Sequence, residues 1–172
     1  MNTKKTHSAA MRVARLAVLV SIALVLAYVE RLIPAPIPVP GVKLGLANLA
    51  VLVALYLFGW RDALTVSALR VLLSGALFGG GFSMIYALCG AVSSFAAMAL
   101  LKRLSKLHVA TISAVGGLLH NMAQLCVAAC VVSTKELYYY APALAISGIL
   151  TGICVGLMAA ALIPRLEKLH LT

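Results

Sequence analysis

Apolar residues fill this chain in six long blocks, at about 11–33, 44–58, 63–78, 82–101, 109–132 and 142–163. A bilayer core is about 30 Å thick, and a helix crossing it needs roughly 20 mostly apolar residues. The blocks therefore predict an all-α bundle of six transmembrane helices in a single membrane domain. The breaks have physical causes. Pro34, Pro36, Pro38 and Pro40 fix φ and remove backbone donors, so the first helix must end there. Gly59-Trp60-Arg61-Asp62 predicts a short turn, and Gly79-Gly80-Gly81 another, because glycine resists staying helical. The stretch 102–108 reads as a basic loop, and 133–140 as a polar and aromatic one.

Composition agrees with this picture. Of 172 residues, 63% are hydrophobic and only 10% charged. Soluble domains carry about a quarter charged residues. The amino-terminal apolar run ends in Glu30-Arg31 and the proline segment, without a small-residue cleavage site. It reads as a retained first helix rather than a secretory signal.

Charge then sets the orientation. With six crossings both termini share one side, which holds Lys4, Lys5, Arg12, Arg15, Arg61, Lys102, Arg103, Lys106, Arg165 and Lys168. The other side holds Arg31, Lys43 and Lys135. The positive-inside rule puts both termini in the cytoplasm, in a multi-pass cytoplasmic-membrane protein. The net charge of +10 is thus a topology signal. Nucleic-acid binding is not indicated, since the basic residues are scattered over short loops. Trp60 on the inner side and Tyr138-Tyr139-Tyr140 on the outer fit aromatic belts. Cys89, Cys126, Cys130 and Cys154 fall inside spans with no CxxC pair, and read as small apolar core residues.

Polar groups in hydrocarbon are costly and usually face protein or a water-filled cavity, so they carry the information here. Arg70 lies near the middle of the third span, with Ser67 and Ser74 on its own face. It is either half of an ion pair with Glu30 or an anion-binding residue. Glu30 is either a helix-end carboxylate or a group facing the interior. His120, Asn121 and Gln124 fit one side of the fifth helix, for interhelical hydrogen bonds or for a ligand. Gly116 and Gly117, one turn earlier, allow close approach. Lys43 and Asn48 flank the start of the second helix, whose free N–H groups and dipole suit an anion. A snorkelling lysine is the plainer reading of Lys43. Gly148, Gly152 and Gly156 form a small-residue stripe on the sixth helix, and Ala10, Ala14, Ala17 and Ser21 a weaker one on the first. Both read as packing surfaces. No metal-ligand set or nucleotide loop is present, and no cofactor is expected.

Glu30 with Ile33-Pro34, the block from Pro40 through Gly41-Val42-Lys43-Leu44-Gly45-Leu46-Ala47-Asn48, Arg70-Val71-Leu72-Leu73-Ser74-Gly75, and His120-Asn121-x-x-Gln124 resemble one bacterial family. This is the Gx transporter family, also labelled heptaprenyl diphosphate synthase component I. The family is similar to the substrate-binding S components of energy-coupling-factor (ECF) vitamin transporters. That resemblance implies six helices and a small-molecule site near the outer face. It also implies an ECF transmembrane partner and two cytoplasmic ATPases as partners, with the Ala10/Ala14/Ala17/Ser21 stripe as the partner contact.

The synthase label meets a chemical objection. Prenyl synthases hold diphosphate through Mg²⁺ on aspartate-rich motifs, and hard Mg²⁺ needs carboxylate oxygens. This chain has one aspartate, Asp62, and three scattered glutamates, Glu30, Glu136 and Glu167. It is therefore expected not to be an enzyme. The expected function is capture of a small anionic molecule for transport. Lys43 and Arg70 would pair with the anion, Asn48, Ser74, His120, Asn121 and Gln124 would line the pocket, and Glu30 would balance charge or receive an amine. The alternative is a noncatalytic membrane subunit of isoprenoid or quinone synthesis.

Overall fold

The computed structural model describes residues 3–33 and 44–169. Lys43 and the proline segment at 34–40 lie outside the described residues, as do Gly41 and Val42. Among the described residues there are six α-helices and no strand: α1 (Thr3–Leu32), α2 (Leu46–Leu57), α3 (Trp60–Ser74), α4 (Gly80–Leu104), α5 (Val109–Val132) and α6 (Ala141–Lys168). A π-helical turn, Gly75–Gly79, joins α3 to α4, and a 3₁₀ turn, Lys135–Tyr140, precedes α6.

Four stretches are long and apolar enough to cross a membrane: Ala9–Leu32, Trp60–Leu104, Val109–Val132 and Lys135–Lys168. The difference from six has two sources. The second stretch contains both α3 and α4, and its backbone breaks at Gly80, where φ is +75°. α2, with 12 residues, is about 18 Å long, shorter than the hydrocarbon core. Several boundaries also move. α4 runs through Leu104, shortening the basic loop. α6 continues past Pro164 to Lys168 rather than stopping before the proline.

α2 is the central helix. Ala47 and every residue from Ala50 to Leu55 are buried, as expected of a helix apolar all round. α1 packs antiparallel to it. Arg15 lies over the Phe58 ring at one end, and the Gly45 N–H reaches Glu30 at the other. α5 and α6 approach most closely, also antiparallel. A Cβ placed at Gly148 would sit 2.6 Å from the Gly117 carbonyl oxygen, at Gly152 2.5 Å from that of Ser113, and at Gly156 2.5 Å from the Ala110 Cα. The sixth-helix glycine stripe is thus a packing surface, and Gly117 is its counterpart on α5. Gly116 instead faces Met98 and Ser94 of α4.

The outer surface of the bundle is apolar. Val13, Val18, Val25, Leu77, Val92, Leu150 and Leu157 all point outward. Of the cysteines, Cys126, Cys130 and Cys154 are exposed and Cys89 half-buried, so they are not the core residues expected from the sequence. A small apolar thiol suits a lipid-facing position as well as a protein interior. Ala10, Ala14, Ala17 and Ser21 are also exposed, so that stripe is not a buried packing surface within the described chain.

Basic groups gather at one end. There Arg12 pairs with Asp62 (Nη2–Oδ1 2.5 Å), and Lys102 donates to the Leu55 carbonyl oxygen (2.6 Å) over the Tyr56 ring. Lys106 precedes α5 and Lys135 follows it, so a helix that crosses puts them on opposite sides. With the native cysteines removed, single cysteines at 106 and 135 should label with an impermeant reagent from opposite membrane faces. Labelling of both from one face would refute a crossing by α5.

Candidate functional site

Away from the basic end, all six helices contribute to one cavity of about 180 Å³. α1 supplies Ala27, Glu30 and Arg31, and the start of α2 supplies Ala47 and Asn48 with Gly45 just before it. α3 and its π turn give Arg70, Val71, Ser74, Gly75 and Phe78, α4 gives Ser83 and Ala87, α5 gives Gly117, His120, Asn121 and Gln124, and α6 gives Thr151. Seven of the eight residues singled out from the sequence therefore meet here: Glu30, Asn48, Arg70, Ser74, His120, Asn121 and Gln124. The eighth, Lys43, is the one outside the described residues.

Local structure explains the convergence. Gly45 adopts φ +74°, which lets the chain turn sharply into α2 and aims its N–H at Glu30 Oε1 (2.5 Å). Asn48 then sits in the first turn of α2. On α3, the helix widens into the π turn at Gly75, where an added Cβ would lie 2.8 Å from Met84 Cβ. That turn brings Phe78 back toward α1, where Arg31 Nη1 donates to its carbonyl oxygen (2.6 Å) and stacks on its ring. π turns recur at functional sites because they displace the residues around them. On the α4 side, Gly90 leaves room for α5. A Cβ there would lie 2.9 Å from both His120 Cε1 and Gln124 Cγ.

The charges are arranged unevenly. Arg70 Nη2 donates to Asn48 Oδ1 (3.1 Å), while its Nε is buried with no hydrogen-bond partner. Glu30 lines the same cavity but is not within ion-pair distance. Among the described residues Arg12–Asp62 is the one ion pair. The Glu30–Arg70 pairing weighed from the sequence is thus not formed directly.

The amides differ in role. Asn121 Nδ2 donates to the Leu144 carbonyl oxygen (2.9 Å) and lies 3.4 Å from Ser147 Oγ, so it ties α5 to α6. Gln124, 2% exposed, has neither Nε2 nor Oε1 hydrogen-bonded. Ser74 Oγ and Thr151 Oγ1 donate back to carbonyls of their own helices, at Val71 (3.2 Å) and Ser147 (2.9 Å). Sequence reasoning missed Arg31, Ser83 and Thr151. Thr151 was signalled by its place inside the Gly148/Gly152 stripe, which marks the face of α6 turned toward α5. Among the described residues no three His, Cys, Asp or Glu side chains gather as a metal site would require.

An all-helical membrane protein with a charged and amide-lined cavity at the meeting of its helices is the class these features define. The chain belongs to the heptaprenyl diphosphate synthase component I family, whose family model matches residues 19–162. No curated protein and no solved structure matches it.

Proposed function

We propose that this chain is a membrane transport protein that captures a small anionic molecule in the cavity around Arg70. The observation that carries the reading is a guanidinium lodged among six helices, with Asn48 as its partner and no carboxylate of the described chain in ion-pair range. A cation kept in a membrane-embedded interior needs an anion or a wet cavity. Arg70 and Lys43 bind the anion, Asn48, Ser74, His120, Asn121 and Gln124 orient the molecule, and Glu30 balances charge. The chain crosses the membrane six times, with α2 deep in the bundle, and both termini lie in the cytoplasm beside the basic end. The cavity then faces outward. One aspartate and three scattered glutamates make no aspartate-rich Mg²⁺ motif, which supports a noncatalytic role.

The exposed Ala10/Ala14/Ala17/Ser21 face meets a transmembrane partner of the ECF kind, which brings the ATPases. Supporting this, a groove of about 330 Å³ borders that face, walled by Met11, Ala14, Val18, Ile22, Leu57 and Phe58 among others. A second reading, a noncatalytic membrane subunit of prenyl diphosphate synthesis, is favoured by the family's own description.

Native mass spectrometry of the gently extracted protein separates the two. The transport reading expects a bound small anion and an ATPase-bearing partner. It also expects Ala14→Trp to lose the partner while keeping the small molecule. A soluble prenyl synthase chain as partner, with no small molecule retained, would overturn it in favour of the second reading.

A further inference from the structure

Gln124 is a polar group in the cavity wall whose chemistry the anion alone does not use. It is 2% exposed, and both its Nε2 and Oε1 are buried without a hydrogen-bond partner. Three other polar residues of the wall are engaged elsewhere: Asn121 with Leu144, Thr151 with Ser147, and the Asn48 oxygen with Arg70. Gly90 lets α4 close over the stem of this side chain, since a Cβ there would lie 2.9 Å from Gln124 Cγ, while Gln124 itself lines the cavity. A buried amide left bare in this way is destabilising, because both its donor and its acceptor have given up water.

A primary carboxamide presents an N–H donor and a carbonyl acceptor side by side in one plane. An anionic ligand group satisfies the donor but sets negative charge against Oε1. A cationic group satisfies Oε1 alone. The neutral group that satisfies both at once is another N–H beside a carbonyl oxygen, as in a lactam, a ureide or a cis amide. We infer that the ligand joins an anionic group, held by Arg70, to a neutral amide-type edge, held by Gln124. This rests on the anion reading given above and narrows it from small anions in general to anions bearing a cyclic or terminal amide.

Matched probes test it. Pyroglutamate and orotate carry a carboxylate and a lactam edge. Cyclopentanecarboxylate and benzoate carry the carboxylate on rings of the same size without that edge. Binding is measured by calorimetry on the purified full chain. Each lactam acid should bind roughly 10-fold or more tightly than its carbocyclic match, the range expected when a buried donor and acceptor are left unpaired. Gln124→Leu should erase that ratio, and Arg70→Gln should weaken all four probes. Equal affinities within each pair, or a ratio that survives Gln124→Leu, would overturn the amide edge and leave the anion reading standing. Binding of none of the four at millimolar concentration would count against the anion reading and remove this inference with it. Without ligand, Gln124→Leu should raise Tm, since it removes two unsatisfied buried atoms. A lower Tm would mean that the protein itself partners the amide, and would also overturn the inference.

Discussion

Gly152→Leu is expected to destabilise the bundle by about 1–3 kcal/mol or more, the range for overpacking a close-packed interior. The Cβ alone would sit 2.5 Å from the Ser113 carbonyl oxygen and 2.7 Å from the Ala114 Cα. Both are backbone atoms of α5, so no rotamer change relieves the clash and α5 and α6 must separate. Without a strong hydrophobic drive between helices inside lipid, such close backbone packing is a main source of cohesion, and its loss is not readily offset. The separation would also spread the cavity, because α5 carries Gln124 and α6 carries Thr151. Gly81→Ala is the control. It has nothing within 4 Å of its Cβ position, and its effect should be near zero. Thermal unfolding of the two variants in detergent measures both. An unchanged Tm for Gly152→Leu would mean that α5 and α6 do not meet backbone to backbone at this position.

The glycine stripe was legible in the sequence because its period of four repeats three times on one helix. α5 was legible too, with bounds at Val109 and Val132 as expected. Polar residues flank it, and His108 caps it by accepting the Ala110 N–H on Nδ1. The site was legible for a related reason. Arg70, His120, Asn121 and Gln124 interrupt apolar runs, and hydrocarbon tolerates such groups mainly when they turn inward, so an inward orientation was to be expected, though not which cavity they would share. Ser83 and Thr151 escaped notice because a hydroxyl can bond to its own helix, as Thr151 does, and sits in an apolar helix at little cost. The depth of α2 was not legible. Its block of apolar residues looks like the other spans, and what shortens it is a left-handed turn at Gly45 and a break at Gly59, where φ is +90°. The cysteines went wrong because burial in a protein core and exposure to lipid favour the same small apolar side chains.

Arg70→Gln is expected to lower affinity for an anionic ligand by on the order of 100-fold or more, since removing one member of a buried, hydrogen-bonded charge pair costs about 2–5 kcal/mol. Fold stability should change little. The lost contact within the chain is one hydrogen bond to Asn48, and the glutamine amide is short but neutral, so it is cheaper to bury than the guanidinium it replaces. The competing view makes Arg70 a structural partner of Glu30. That view predicts a different pattern, because stranding one charge of a buried pair destabilises by about 3–5 kcal/mol. Glu30→Gln combined with Arg70→Gln would then recover the loss. The geometry argues against recovery. Glu30 accepts from the Gly45 N–H and thereby holds the turn into α2, outside ion-pair range of Arg70. Glu30→Gln keeps an oxygen that can accept from Gly45 but loses the charge assistance, so it should weaken that turn modestly whether or not Arg70 is present, and the two substitutions should add rather than compensate. Thermal stability of the two single variants and the double, with probe binding measured on each, decides between the two. A destabilised Arg70→Gln restored by Glu30→Gln would reduce Arg70 to a structural residue and withdraw the anionic ligand. Near-native stability with binding lost in Arg70→Gln would assign its charge to the molecule that enters the cavity.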